Sequence, residues 1–321
     1  RGDDVVRADA VADFVRELRL QFARNAGRPT PLTRADRLAD RLGGGLRLYL
    51  KREDLTPTGT PGITICLGHA LLARHLGKTR LVGGAGAGRH GVAVACAAQA
   101  LGLRCVLYVG GEETPGGEPD LARMRMTGAE IVPTARRPGT IEAAGREAAR
   151  DWAERLAETY LVPAPWPQES PYAAIERDLE AVIGHEARAQ VLECEGRMPD
   201  AVVAYVGRGS GALGLFQAFL DDREVLMFGV PAEGARHPSL PDRVRAMAVT
   251  EAEALEARQL LAAAEGILPG PGAARAVALV ARQGRRGDLG RTILIAIPDR
   301  DEAGLYVPET LAQAARSEAG S

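Results

Sequence analysis

Short runs of β-branched and aliphatic residues alternate along this chain with longer amphipathic runs, and this alternation restricts the fold more than any other feature. The strand-like runs lie at 46–50, 79–82, 105–109, 131–133, 201–206, 226–230 and 292–297, and the helical patterns at 63–76, 90–101, 120–127, 140–159, 173–195, 211–220, 251–264 and 273–283. Strands that are joined through one helix pair in parallel by right-handed crossovers. The sequence therefore predicts an α/β protein.

Two of the predicted strands end in glycine-rich turns that open a helix. The first turn lies at 83–88 and the second at 207–211. In open α/β sheets, ligands bind in the crevice at the carboxyl ends of the strands. Each turn is therefore a candidate ligand site.

The charge balance argues against partners that are held by bulk electrostatics. The 321 residues carry 40 Lys and Arg against 42 Asp and Glu, a formal net charge of −2. The length suffices for one large domain or two interleaved ones. The balance disfavours a nucleic acid or a membrane surface as partner and favours a neutral or small ionic ligand.

No apolar run approaches the roughly 18 residues of a membrane span. The first four residues, Arg-Gly-Asp-Asp, show no leader-like segment, so we expect a cytoplasmic protein.

Cysteine and lysine are both scarce. The four cysteines are Cys66, Cys96, Cys105 and Cys194. They form no Cys-x-x-Cys pair and lie in apolar stretches, which predicts buried, reduced thiols and no metal site. Only two of the 40 basic residues are lysines, Lys51 and Lys78. Any Schiff-base chemistry would have to use one of these two amines.

Several segments, in order along the chain, carry a resemblance to a known family. They lie at 27–32, 48–55, 67–73, 77–80, 86–93, 123–130, 195–204 and 251–255. From residue 27 to residue 297 the chain resembles the tryptophan synthase β-subunit-like family of fold-type II pyridoxal phosphate (PLP) enzymes. The resemblance implies two interleaved three-layer α/β subdomains with a cleft between them, one formed by 1–27 and 61–179 and the other by 28–60 and 180–321. It also implies a dimer, either a homodimer or a heterodimer with a paralogue.

The departures from this family fall on the residues that hold and activate the cofactor. Where the family has Thr-Gly-Ala-His-Lys, residues 58–62 read Thr-Gly-Thr-Pro-Gly, so Pro61 replaces the histidine and Gly62 the Schiff-base lysine. The catalytic glutamate of the family falls at Gly84. The resemblance implies structural roles for Lys51 and Lys78, which leaves no amine for an internal aldimine.

The phosphate turn and the ring-nitrogen position depart as well. The family's Gly-Gly-Gly-Ser-Asn turn becomes Gly-Arg-Gly-Ser-Gly at 207–211, which introduces Arg208 and replaces the asparagine by Gly211. The serine that serves the pyridine nitrogen falls at Pro298, which cannot make that hydrogen bond. Most of the segment that walls an indole tunnel and a cation site in relatives is missing between 234 and 249. We therefore expect that the chain uses no cofactor.

The first glycine-rich turn retains groups that could bind an anion. In the family, the turn at Gly86, Ala87 and Gly88 gives backbone N–H groups to the carboxylate of the amino acid. Arg89 replaces a glutamine and either adds a two-donor clamp for that carboxylate or is a solvated arginine at a helix start. His90 either moves a proton during catalysis or is inherited packing. Arg89 and His90 are the catalytic candidates.

The second turn supplies the remaining candidates for substrate binding, Arg208 and Ser210. Arg208 either fills the vacated phosphate pocket or binds an acidic group of a new ligand. Ser210 stands at a serine position of the family turn.

Three hypotheses for function follow. The first is a PLP-independent enzyme on a tryptophan synthase β-like scaffold, which promotes an elimination, isomerisation or cyclisation of a carboxylate-bearing small molecule in a specialised, secondary-metabolite pathway. The second is a non-catalytic subunit that pairs with an active PLP-dependent paralogue. The third is a binding or sensor protein.

Overall fold

The computed structural model has parallel strands that alternate with helices, which confirms the predicted α/β class. It describes residues 2–86, 88–110, 118–134, 140–162, 171–207, 211–231, 240–284 and 286–300. The helices are α1 (Gly2–Asn25), α2 (Asp36–Leu42), α3 (Gly62–His75), α4 (Arg89–Ala100), α5 (Glu118–Met126), α6 (Ile141–Glu154), α7 (Pro171–Glu195), α8 (Gly211–Gln217), α9 (Glu251–Glu265) and α10 (Pro271–Gly284). The strands are β1 (Leu32–Arg34), β2 (Arg47–Arg52), β3 (Arg80–Gly86), β4 (Arg104–Gly110), β5 (Glu130–Pro133), β6 (Thr159–Val162), β7 (Ala201–Val206), β8 (Leu226–Pro231), β9 (Val244–Ala246) and β10 (Thr292–Ile297).

Within the described residues these strands form two sheets. The larger has the order β1-β2-β10-β7-β8-β9 and the smaller the order β5-β4-β3-β6. Every pair is parallel except β1 with β2. The carboxyl ends of neighbouring parallel strands therefore lie at one edge of each sheet, where the glycine-rich turns begin.

The larger sheet is buried on both faces. Leu48 and Leu50 pack in a core with α2, α9 and α10, whereas Tyr49 between them faces α7 and α8. Successive side chains of a strand point to opposite faces, so one strand supplies two cores. Three layers result: helices, sheet, helices.

The smaller sheet repeats this arrangement. Leu81 and Leu107 pack in a core with α1, α3 and α4, and the neighbouring residues Val82 and Val106 pack against α6 on the other face. None of the described helices is long and apolar enough to cross a membrane.

The structure differs from the sequence predictions in several local features, and α1, β1, α2, β6 and β9 were not predicted. The predicted helix 140–159 extends too far: α6 ends at Glu154, and residue 159 is already the first residue of β6. Strand β6 lies at an edge of the smaller sheet. Cys194 is exposed rather than buried, because it lies in the last turn of α7 on the side that faces solvent. The division into subdomains stays a prediction, and its boundary between 179 and 180 falls inside α7.

Candidate functional site

Segments that follow strands of both sheets meet around Arg89, the first residue of α4. Its Nη1 donates to the backbone carbonyl of Arg300 at 3.0 Å and to that of Gly59 at 3.5 Å. Its Nη2 lies 3.7 Å from Oδ2 of Asp299. The turn after β3, the loop before α3 and the segment after β10 are thereby brought together. We term the space that they border the cleft.

The first glycine-rich turn, predicted to bind a carboxylate, uses one of its donors within the chain. The N–H of Gly88 donates to the carbonyl of Gly86 at 2.8 Å. A ligand carboxylate that takes this N–H has to displace that hydrogen bond. Ala87 lies outside the described residues, so its part in anion binding stays a prediction.

Gly84, predicted from the resemblance to stand at the position of the family's catalytic glutamate, is packed so closely that there is no room for a side chain. A Cβ on Gly84 would lie 2.5 Å from Cα of Gly145 in α6, closer than real Cβ atoms come to any neighbour. Helix α6 can approach β3 this closely because both positions are glycine. Without a backbone shift, packing excludes a carboxylate at residue 84.

Gly62 begins α3, directly after Pro61. A Cβ there would meet Oγ1 of Thr60 at 3.4 Å, an ordinary contact distance, among the described atoms. There is thus space for a side chain at position 62, but the residue there is glycine. An amine for a Schiff base would have to come from elsewhere.

Lys51 lies near the carboxyl end of β2, but its ammonium group is fully occupied. Its Nζ donates to the carbonyl of Thr30 at 2.8 Å, to Oε2 of Glu186 at 2.8 Å and to Oε1 of Gln190 at 2.9 Å. A protonated lysine has three N–H donors, so none is left for a ligand. The side chain is completely buried. Burial lowers the pKa of Lys51, and the Glu186 carboxylate opposes that shift.

Arg28 and Glu53 extend these contacts into a buried ionic cluster. Arg28 donates from Nη2 to Glu53 at 2.5 Å and from Nη1 to Glu186 at 2.9 Å. We term Arg28, Lys51, Glu53 and Glu186 the junction network. It joins the segment before β1 to β2, to the turn after β2 and to α7, and its two cations match its two anions. These contacts give Lys51 a structural role.

Lys78 is at the other end of the smaller sheet from the cleft. Its Nζ donates to the carbonyls of Leu156 at 2.5 Å and Ala157 at 3.3 Å. The seven residues of β3 separate it from the cleft, a length of about 20 Å. Lys78 therefore cannot reach a ligand at the carboxyl edge.

Glu180 of α7 stands beside the end of the second glycine-rich turn. Its Oε1 lies 3.6 Å from the point that a Cβ on Gly211 would occupy, and Cγ of Pro61 is equally close to that point. The residue is only 2% exposed. The PLP phosphate is an anion, and an ionised carboxyl group at this place would repel it. Pro298, directly after β10, has neither an N–H nor a hydroxyl to offer the pyridine nitrogen.

The described residues therefore do not fit PLP held as a Schiff base. Position 62 has no amine, both lysines are committed to other contacts, and Gly211, the last residue of the predicted phosphate turn, lies beside the carboxyl group of Glu180. In the described part of the chain, no group of three or more His, Cys, Asp or Glu side chains could hold a metal ion. Arg208 and Ser210 lie outside the described residues, and their roles stay predictions.

His90, the second residue of α4, is partly buried. Burial, with a smaller contribution from His90, lowers the pKa of His69 to about 4. Nδ1 of His69 lies 2.9 Å from the hydroxyl of Tyr160 in β6. Its Nε2 is buried and has no hydrogen-bond partner among the described residues. At neutral pH, His69 is thus a neutral imidazole with one open hydrogen-bonding position.

Glu176 is a second polar group that the sequence reasoning did not single out. It is partly buried and lies one turn before Glu180 on α7. Burial raises the pKa of Glu176 to about 7. Burial also raises the pKa of the Cys66 thiol and of Tyr160, and in both cases the charge of Glu176 adds to the shift. No hydrogen bond or ion pair connects the Glu176 carboxyl to another described residue.

The helical pattern of α7 contains a signal for these carboxyl groups. Ile175, Leu179 and Ile183 mark the side of the helix that packs into the cores. Glu176 and Glu180 fall on that same side. Acidic residues on a buried helix face are rare unless they are paired or functional. We term His69, Tyr160 and Glu176 the cleft cluster.

Comparisons with known proteins agree with this architecture. The family model described as "Pyridoxal-phosphate dependent enzyme" matches residues 23–242. The tryptophan synthase beta chain of Dinoroseobacter shibae is 36% identical over 323 aligned residues, which cover 84% of this chain and 78% of that relative. The chain belongs to the pyridoxal-phosphate dependent enzyme family and is a homologue of tryptophan synthase beta chains.

Proposed function

We propose that this chain is a PLP-independent enzyme on a tryptophan synthase β-like scaffold. It promotes an elimination, isomerisation or cyclisation of a carboxylate-bearing small molecule in a specialised, secondary-metabolite pathway. Such reactions can be accelerated by orientation, hydrogen bonding and proton transfer without a cofactor.

One observation carries this proposal: the only two lysines are committed to other contacts. All three donors of Lys51 are used in a buried site, and Lys78 binds two carbonyls at the far end of β3. With Gly62 at the start of α3, no amine borders the cleft in the described structure. The carboxyl group of Glu180 beside Gly211 supports the same conclusion.

The proposal is tested by titrating the purified full chain with PLP and recording its visible spectrum. We expect the sum of the spectra of protein and free PLP, because no internal aldimine forms. A new aldimine band that grows with PLP and saturates would overturn the proposal.

The carboxylate of the ligand binds between Arg89 and the first glycine-rich turn. The 3.7 Å separation of Arg89 and Asp299 is longer than the about 2.7–2.9 Å of a charge-assisted hydrogen bond, so a ligand carboxylate can approach more closely than Asp299 does. His90 moves a proton on the same side, and Arg208 and Ser210 contact the other end of the ligand.

A specific observation favours a second candidate, a non-catalytic subunit that pairs with a PLP-dependent paralogue. Arg89 and the N–H of Gly88 already bind groups of the chain itself, as in a purely structural turn. The variants Arg89→Ala and His90→Gln separate the two candidates when the pathway product is measured. A loss with either variant supports the enzyme, and full product with both supports the subunit.

A further inference from the structure

Arg89 borders the cleft with one edge of its guanidinium group still open. Its Nη1 is anchored by the carbonyls of Arg300 and Gly59. Neither Nε nor Nη2 makes a hydrogen bond with another residue that the structure describes. Nε and Nη2 form the edge of an arginine that can donate to both oxygens of one carboxylate. The side chain is 29% exposed, so this edge is accessible to a ligand.

Asp299 brings a negative charge to the same place. Its Oδ2 lies 3.7 Å from Nη2 of Arg89, too far for a hydrogen bond, and its side chain is 20% exposed. A ligand carboxylate that accepts from Nε and Nη2 comes within about 6.5 Å of Oδ2, because both oxygens then lie beside the same nitrogen. A group that the ligand carries next to its carboxylate on this side is therefore exposed to the charge of Asp299.

The segment before α10 holds Asp299 in this position. The N–H of Gly270 donates to the carbonyl of Asp299 at 3.0 Å, and Pro269 pairs with Arg300 in an antiparallel bridge. A Cβ on Gly270 would lie 2.3 Å from Oδ2 and 2.7 Å from Oδ1 of Asp299. A side chain at position 270 would therefore push the carboxylate away, since it is the movable end of the aspartate. Glycine at this position lets the charge stay beside Arg89.

We propose that Asp299 is a specificity-determining residue of the cleft. Its charge excludes a second anionic group beside the ligand carboxylate that Arg89 binds, and it favours a cationic or hydrogen-bond-donating group there. This inference rests on the proposed function, whose ligand it narrows to a carboxylate with such a group close to it. Like charges that are brought together in a binding site cost affinity and opposite charges add to it, so one aspartate acts on both sides of the selection.

The test compares two probes that differ in one charged group, because the natural ligand is unidentified. β-Alanine carries an ammonium group where succinate carries its second carboxylate, and at about pH 7.5 both are ionised. The dissociation constants of both probes from the full chain are measured by NMR titration at constant ionic strength. We expect β-alanine to bind at least about tenfold more tightly than succinate. Arg89→Ala should weaken the binding of both probes at least about tenfold.

Three variants separate the charge of Asp299 from other effects. Asp299→Asn removes the charge and keeps the shape, so we expect weaker binding of β-alanine, tighter binding of succinate and a ratio of the two dissociation constants lowered at least about fivefold. Gly270→Ala retains the charge but displaces the carboxylate, and should lower the ratio at least about threefold. Asp288→Asn is the matched control, because Asp288 is exposed and lies at the other end of β10 from Asp299. It should leave the ratio within about twofold.

Each outcome decides the proposal. A ratio that Asp299→Asn lowers and Asp288→Asn does not supports it. An unchanged ratio in Asp299→Asn overturns it, as does an equal change in Asp288→Asn, a wild type that prefers succinate, or a wild type that binds neither probe through Arg89. Should Asp299→Asn not fold, Gly270→Ala decides by the same criterion.

The titration with PLP is independent of this result. An aldimine band overturns the proposed function whatever the probes show. Binding that depends on Arg89 but not on Asp299 leaves the proposed carboxylate site in place and removes only the role of Asp299.

Discussion

The junction network and the cleft cluster are both sets of buried or partly buried polar side chains with a member on α7, yet they differ in how far the chain satisfies them. In the junction network every charged group has a partner of opposite charge within 2.5–2.9 Å, and Lys51 uses all of its donors. In the cleft cluster, Glu176 and Nε2 of His69 have no hydrogen-bond partner in the described structure.

This difference distinguishes polar groups that stabilise the fold from polar groups that are candidates for a functional role. A fully paired cluster contributes to folding and offers nothing to a ligand. An incompletely paired one costs folding free energy, and such groups concentrate at functional sites. Lys51 is therefore a structural residue although it lies close to the cleft, and Glu176 is a functional candidate although no sequence motif marks it.

Lys51→Met breaks the junction network and should produce the largest loss of stability. It removes one of two buried cations and leaves two carboxylates with Arg28 alone. Unpairing a buried ion cluster costs about 3–5 kcal/mol in the free energy of unfolding, measured by urea denaturation. Lys78→Met is the matched control and should cost less than about 1 kcal/mol because Lys78 contacts only carbonyls near the surface. An equal loss in the free energy of unfolding in both variants would show that the contacts of Lys51 stabilise the fold no more than those of Lys78.

Glu176→Gln should change the free energy of unfolding in the opposite direction, towards greater stability, and the size of this change should depend on pH. Because burial raises the pKa of Glu176 from its usual 4.5 to about 7, the folded state binds the proton more tightly than the unfolded state, and stability falls as pH rises through that interval. The difference corresponds to about 3 kcal/mol, which partial exposure reduces to roughly 2 kcal/mol.

The Gln variant should therefore be more stable than the wild type at pH 8 and equally stable at pH 4. Urea unfolding at both pH values measures this. A variant that is less stable than the wild type at pH 8 would mean that Glu176 has a cationic partner, and the contrast between the two clusters would fail.

Tyr160→Phe tests the same contrast by removing one more hydrogen bond from the cleft cluster. It removes the hydroxyl 2.9 Å from Nδ1 of His69 and leaves both ring nitrogens without a partner. A loss of about 1 kcal/mol is expected, together with a change in the nitrogen-15 shifts of His69. His75, exposed and paired with Glu17, is the internal control and should not change. Unaltered His69 shifts would show that this hydrogen bond does not form.

The fold was largely predictable from local patterns, because the alternation of strand and helix periods follows from which faces are buried. Strand β6 was missed because its four residues follow α6 closely and continue its apolar pattern. The short elements β1, α2 and β9 were missed because three to seven residues carry too little periodicity.

The candidate site was predictable only in part. Glycine turns and missing side chains can be read along the chain, and Gly62 and Gly84 were identified in this way. The junction network could not be, because Arg28 and Glu186 are 158 residues apart and meet only through the fold. Glu176 could have been found from its place on the buried side of α7, but without the packing of α3 and β6 nothing distinguishes it from a solvated glutamate.

The central claim is that no lysine of this chain serves the cleft. Incubation of the full chain with PLP, reduction with borohydride and peptide mapping by mass spectrometry test it most directly, because reduction makes any Schiff base permanent. The account predicts no stoichiometric pyridoxyl group on the peptides that contain Lys51 or Lys78. A stoichiometric adduct on either lysine would contradict it.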